Sequence, residues 1–170
     1  MKGSNLMKSS TYFKAPSIAR AVIFFIVAFL GSAVFAAEPV SKSKAGVAIG
    51  GHDAVAYHSL ERAPQAKAKK GKKTWVVEHL GAKWRFGSQE SADLFAANPD
   101  KYQPAYNGHC ANALSLGKGL VKTNGKVWEI FGDELHLFYA KAGRKRWVSV
   151  DDISEYKAAA DKAWAELSKQ

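Results

Sequence analysis

The chain has 170 residues, of which 25 are lysine or arginine and 15 are aspartate or glutamate, giving a formal net charge of +10 with 47% hydrophobic residues. That length bounds it to about one domain, long enough to bury a core without metal or disulfide staples. Cys110 is the sole cysteine, which excludes an internal disulfide framework.

At the N-terminus, Lys2, Lys8, Lys14 and Arg20 precede an apolar run over 21–30, followed by small residues up to Ala37. This is the three-part pattern of a signal peptide. The run is broken by Gly31 and Ser32 and falls short of the about 20 apolar residues that a membrane span needs. The pattern predicts a signal peptide over 1–36, cleaved after Ala36, and no transmembrane segment afterwards. An uncleaved anchor is the alternative, and either outcome places the domain in the periplasm or the medium. Cleavage removes four basic and no acidic residues, leaving 134 residues with a formal charge of +6.

Residues 37–48 lack apolar periodicity and read as a flexible leader. Next comes a segment of small and apolar residues, Gly50-Gly51-His52-Asp53-Ala54-Val55-Ala56-Tyr57-His58, and then a basic stretch over 62–73 with Pro64 and Gly71 that reads as a loop or hairpin crossing. Strands are predicted over 75–79 and 83–86, around the turn Leu80-Gly81-Ala82. Ser88 stands as the N-cap of a helix that Asn98-Pro99 stops, with Glu90 near its positive end. A short helix is expected within 107–116. A second hairpin joins 127–131 to 134–138 through Gly132-Asp133. Ile153, Tyr156, Ala160, Trp164 and Leu167 recur at helical spacing, with Asp151 or Asp152 as cap. Helices separated from hairpins define a small single α+β domain with two short β-hairpins and a C-terminal amphipathic helix.

The candidate chemistry lies in the histidines and Cys110, because imidazole and thiolate are donors that zinc and copper favour. No CxxC, HExxH or HxxxH spacing forces two of them onto one ion. Cys110 could act as a nucleophile if a helix N-terminus or a basic group lowered its thiol pKa, or it could be a buried small residue. The basic runs over 67–73 and 141–146 would suit nucleic acid in a cytoplasmic protein. Export argues against that partner and leaves a solvated face or an anionic membrane surface.

The series Trp84-Arg85-Phe86-Gly87-Ser88, Phe95, Asn98-Pro99, Lys101-Tyr102, Tyr106, Gly108 and Cys110-Ala111 resembles the YHS domain family. The opening Gly51-His52-Asp53-Ala54-Val55-Ala56-Tyr57 and the later Trp128, Leu135, Leu137 and Trp147 resemble its longer exported members, and the likeness runs over about residues 49–165. The YHS-like domain is therefore bounded at 49–167. For the short form, found in copper-transporting ATPases and some oxygenase components, the resemblance implies metal binding through a cysteine pair. The matching positions here are Gly87 and Ser91, so that inference does not carry over. Cys110 belongs to the Gly-x-Cys-Ala stretch of the longer members.

The leading expectation is a periplasmic, non-catalytic binding module of the YHS type, for a small ligand or a transition metal, copper or zinc. Its pocket is expected to be lined by Asp53, Tyr57, Tyr106 and Cys110, and the metal donors would be Cys110 and His109 with His52 or His58. Two alternatives stay open. One is a thiol-dependent enzyme or redox protein using Cys110 with His109 or His58 as base. The other is an envelope protein that binds anionic surfaces through its basic faces.

Overall fold

The computed structural model describes residues 39–60 and 66–169; the expected signal peptide and its cleavage point lie outside them. Two antiparallel hairpins and five α-helices make up the regular structure of the described residues, an α+β domain as the sequence predicts. None of these helices is long and apolar enough to cross a membrane.

Strand β1 (Lys72–His79) pairs with β2 (Ala82–Phe86) through the turn at Leu80 and Gly81, both at positive φ. A register shift between Lys72 and Val76 lets β1 start earlier than its aromatic and β-branched stretch. Alternation in β2 buries Ala82, Trp84 and Phe86 and leaves Lys83 exposed, the period-two pattern of a half-buried strand. Helix α1 (Gln89–Ala97) begins at Ser88, whose hydroxyl accepts from Ser91 N at 3.1 Å. Asn98 ends α1 and caps α2 (Pro99–Tyr102) in turn, with Pro99 at the first helical position. The helix expected within 107–116 is split into a 3-10 turn, Ala105–Gly108, and the short α3 (Ala111–Ser115).

Strands β3 (Val127–Phe131) and β4 (Glu134–Phe138) form the second hairpin at the predicted residues. One face, with Trp128 opposite Leu137 and Ile130 opposite Leu135, packs with Trp84, Phe86, Phe95 and Tyr57 in one buried cluster. The other face contributes Phe138, with Val127 and Phe131, to a second cluster around Trp147, Leu114 and Ala160.

Helix α4 (Lys141–Val148) holds the basic run that the sequence offers as a charged face. Its Trp147 is fully buried, Arg144 pairs with the buried Glu129, and Arg146 stacks 3.7 Å from the Tyr156 ring while donating to Asn112 Oδ1 and Ser115 Oγ. Two of its cations therefore fasten the helix to the domain. The last helix, α5 (Ser154–Leu167), follows Asp152, whose carboxylate accepts from Ser154 N and Oγ.

The leader expected over 37–48 is corrected by the structure from residue 39 onward. Val40, Ser41, Val47 and Ala48 are buried. Ser41 N donates to Asn107 O, Ala48 N donates to Lys83 O, and Ser41 Oγ accepts from Thr123 N. Backbone and hydroxyl bonds hold this segment, and apolar periodicity does not report on them.

Candidate functional site

The Gly-Gly-His-Asp-Ala-Val-Ala-Tyr segment enters as two 3-10 turns, Ile49–Gly51 and Ala56–Ser59. Asp53 joins them to the end of β2: Oδ1 accepts from Val55 N and Ala56 N at 3.0 Å each, and Oδ2 accepts from Gly87 N at 2.7 Å. Tyr57 is fully buried and its hydroxyl donates to Gly125 O at 2.6 Å. Burial, with the Asp53 charge as a smaller contribution, pushes the Tyr57 phenol well above its ordinary range. Both residues thus hold the scaffold together.

His58, at the end of the second turn, stands where two clefts meet. One, of about 520 Å³, is walled by Tyr106, Asn107 and Trp164 and rimmed by Asp100, Asp133 and Glu134. The other, of about 590 Å³, includes Asp53, Gly87, Ser91 and Tyr102. Both also take in Lys101. The His58 ring meets the Tyr102 ring edge-on at 5.6 Å, and its Nε2 is buried with no hydrogen-bond partner among the described residues. Burial holds the imidazole below its ordinary pKa; Lys101 adds to this and Asp133 opposes it. At neutral pH the ring is uncharged, with one nitrogen to accept and one to donate.

The wall opposite is strained. Tyr106 (φ 58°, ψ 29°) and Asn107 (φ 49°, ψ 36°) are consecutive left-handed residues, each costing about 1–2 kcal/mol outside glycine. They are held by burial, by the Ser41 N to Asn107 O bond, and by the Tyr106 hydroxyl, which donates to Asp161 Oδ1 at 2.8 Å. Trp164 lies 6.1 Å from the Tyr106 ring.

The other expected site residues are dispersed. His52 is buried, its Nδ1 is paired with Ile49 O at 3.2 Å, and it faces a separate basic hollow. His109 Nδ1 is paired with Tyr106 O at 3.0 Å, and its ring borders a groove with Leu120 and Lys122. Cys110, 3% exposed, precedes α3, lines a groove with Tyr139 and Gly143, and accepts from Tyr139 N at its Sγ. Among the described residues no histidine hydrogen-bonds to that thiol, and no group of three or more histidine, cysteine, aspartate or glutamate side chains is placed to hold a metal ion. The four expected donors therefore do not fit a shared metal shell.

Of the expected ligand residues, Asp53 borders one His58 cleft and Tyr106 the other, while Tyr57 is sealed in the core and Cys110 lies elsewhere. Sequence reasoning missed Asp133, Glu134 and Trp164, which reach the cleft from the hairpin turn and from α5. Asn107 carried a faint signal, since asparagine tolerates left-handed backbone better than most residues. No family model, no curated protein and no solved structure matches this chain.

Proposed function

We propose that this chain is an exported, non-catalytic binding module of the YHS type, and that it takes a small organic ligand carrying a protonated nitrogen at the His58 cleft. The observation that carries this reading is His58, which lines both clefts and whose buried Nε2 has no partner among the described residues. A buried polar atom without a partner is unfavourable by about 1–3 kcal/mol, and a ligand hydrogen bond relieves it. The carboxylates of Asp100 and Asp133 on the rim and the aromatic walls Tyr106 and Trp164 favour a cationic guest. Dispersal of Cys110, His109, His52 and His58 weighs for an organic ligand over copper or zinc.

The test is an NMR titration of the protein with a panel of small amines, run beside elemental analysis for copper and zinc. Amines that shift His58 and Trp164 resonances in the wild type, and lose affinity at least tenfold in a folded His58→Ala variant, support the reading. Binding that His58→Ala leaves intact overturns it. So does stoichiometric metal that disappears on Cys110→Ala.

A further inference from the structure

A third hollow, of about 380 Å³, is lined by His52, Ala66, Lys67, Ala68, Lys70 and Lys126. Among the described residues its wall has three ammonium groups and no carboxylate. Among the described residues none of the three lysines makes an ion pair.

These cations are brought together by backbone that allows little adjustment. Residues 69–71 run antiparallel to 51–53, with Gly71 N donating to Gly51 O at 2.9 Å and Asp53 N donating to Lys69 O at 3.0 Å, which sets Lys70 opposite His52. The Lys70 ammonium reaches Gly50 O at 2.5 Å and keeps two further donors. Lys126 arrives on the turn over 124–126, which is pressed onto the first segment. A Cβ at Gly50 would lie 2.4 Å from Asn124 O, and a Cβ at Gly125 would lie 2.5 Å from Ile49 O and 2.6 Å from His52 Nδ1. Tyr57 Oη holds the same turn through Gly125 O. Trp128 Nε1 donates to Ala66 O at 3.1 Å and fixes the wall that precedes Lys67.

The fold thus sustains a cluster of like charges. Burial lowers the Lys70 pKa, and Lys126 and then Arg85 lower it further by repulsion. An anion between these groups would convert that repulsion into charge-assisted hydrogen bonds. The apolar surfaces of Ala66 and Ala68 screen one side from water and strengthen such bonds.

We propose that this hollow is a phosphate-binding site in which Lys70, Lys126 and Lys67 hold the oxygens of inorganic phosphate or of a phosphate ester, with His52 also in its lining. The site is separate from the His58 cleft and does not rest on the reading given for it.

The test is calorimetric titration of the protein with inorganic phosphate at constant ionic strength, comparing wild type with Lys70→Gln/Lys126→Gln, with Lys67→Gln, and with Lys141→Gln/Lys145→Gln as a control on α4. The first variant is expected to lose affinity at least tenfold and Lys67→Gln about threefold, with the control unchanged. Equal affinity in all four proteins, or no binding to the wild type, overturns the proposal. Circular dichroism confirms each fold, and Lys67→Gln carries the test if the double variant is unfolded. Flotation with phosphatidylglycerol and phosphatidylcholine vesicles separates the two sources of the group. Retention on phosphatidylglycerol that free phosphate displaces, and that the same variants lose, assigns the site to a lipid headgroup. Calorimetric binding without such retention assigns it to a soluble phosphate.

Discussion

Asp53 and Gly87, 34 positions apart in sequence, are joined by a 2.7 Å hydrogen bond from the Gly87 N–H to Oδ2, in a carboxylate whose other oxygen already serves two N–H groups. A Cβ at position 87 would lie 3.2 Å from that Oδ2. Position 87 is also where the resemblance aligns one cysteine of the short YHS form. Any side chain at position 87 would therefore crowd the clasp.

Replacing Asp53 by Ala leaves three N–H groups without their acceptor. The expected loss of stability is about 3 kcal/mol, since hydrogen bonds to a charged group contribute more than neutral ones. Asp53→Asn should lose about half of that, because its single carbonyl oxygen keeps part of the set. Urea unfolding measures both, and equal stability of Asp53→Ala and wild type would show that the clasp contributes nothing.

The interlocked glycines make a sharper prediction. Gly125→Ala places a methyl group within 3 Å of a carbonyl oxygen, of the His52 ring and of the Tyr57 hydroxyl, at a φ of 75°. Destabilisation by at least about 2 kcal/mol is expected from overpacking and strain together. Tyr57→Phe, which only removes the bond to Gly125 O, should lose about 1 kcal/mol. Gly117→Ala, at similar φ but with open space around its Cβ, isolates the backbone part of the effect.

Cys110 should be slow to react in the native protein. At 3% exposure, and with its Sγ turned toward Tyr139 N, it is reached only when the chain opens. Alkylation by iodoacetamide is expected to accelerate at least a hundredfold in denaturing urea, as read by mass spectrometry. Equal rates with and without urea would return the thiol-dependent reading to the front.

His136 makes the domain sensitive to acid. It is fully buried between Tyr106, Phe131 and Trp147, and burial depresses its pKa below 6.5, with Lys157 acting in the same direction and Glu134 and Asp161 opposing. Glu129 sits opposite it in the hairpin register, paired with Arg144. The unfolded chain therefore binds a proton that the native state refuses, and stability falls as pH drops below about 6.5. His136→Leu removes the imidazole. The difference in urea midpoint between pH 7.5 and 5.5 should be smaller in this variant than in the wild type, and an unchanged difference would acquit His136.

The two hairpins were legible because alternation and turn chemistry at Gly81 and Gly132 are local properties. Helix α4 was not, because Lys141-Ala142-Gly143-Arg144-Lys145-Arg146 carries no apolar stripe. Its helix is anchored by tertiary partners, Glu129 for Arg144 and Tyr156 for Arg146. The expectation of one pocket failed for a related reason. His52 and His58 are six positions apart, but His52 follows the first 3-10 turn and lines the basic hollow, while His58 lies within the second and lines the clefts. His109 and Cys110 diverge at once, as neighbours in extended backbone do. Asp53 and Tyr57 were expected as ligand residues, but their polar atoms are consumed by the scaffold, through bonds to backbone that the sequence does not show.

The β3–β4 hairpin gives one face to each buried cluster, like a party wall between two rooms. Neither room can be enclosed until the wall is standing, and the wall is made of residues 127–138, late in the chain. A fragment that stops before Val127 would lack Trp128, Ile130, Leu135 and Leu137 from the first cluster and Phe138, Trp147 and Ala160 from the second, leaving both open to water. The protein should therefore resist dissection into halves: proteolysis within the hairpin would abolish both cores at once, and the chain would collapse or persist as a single cooperative whole.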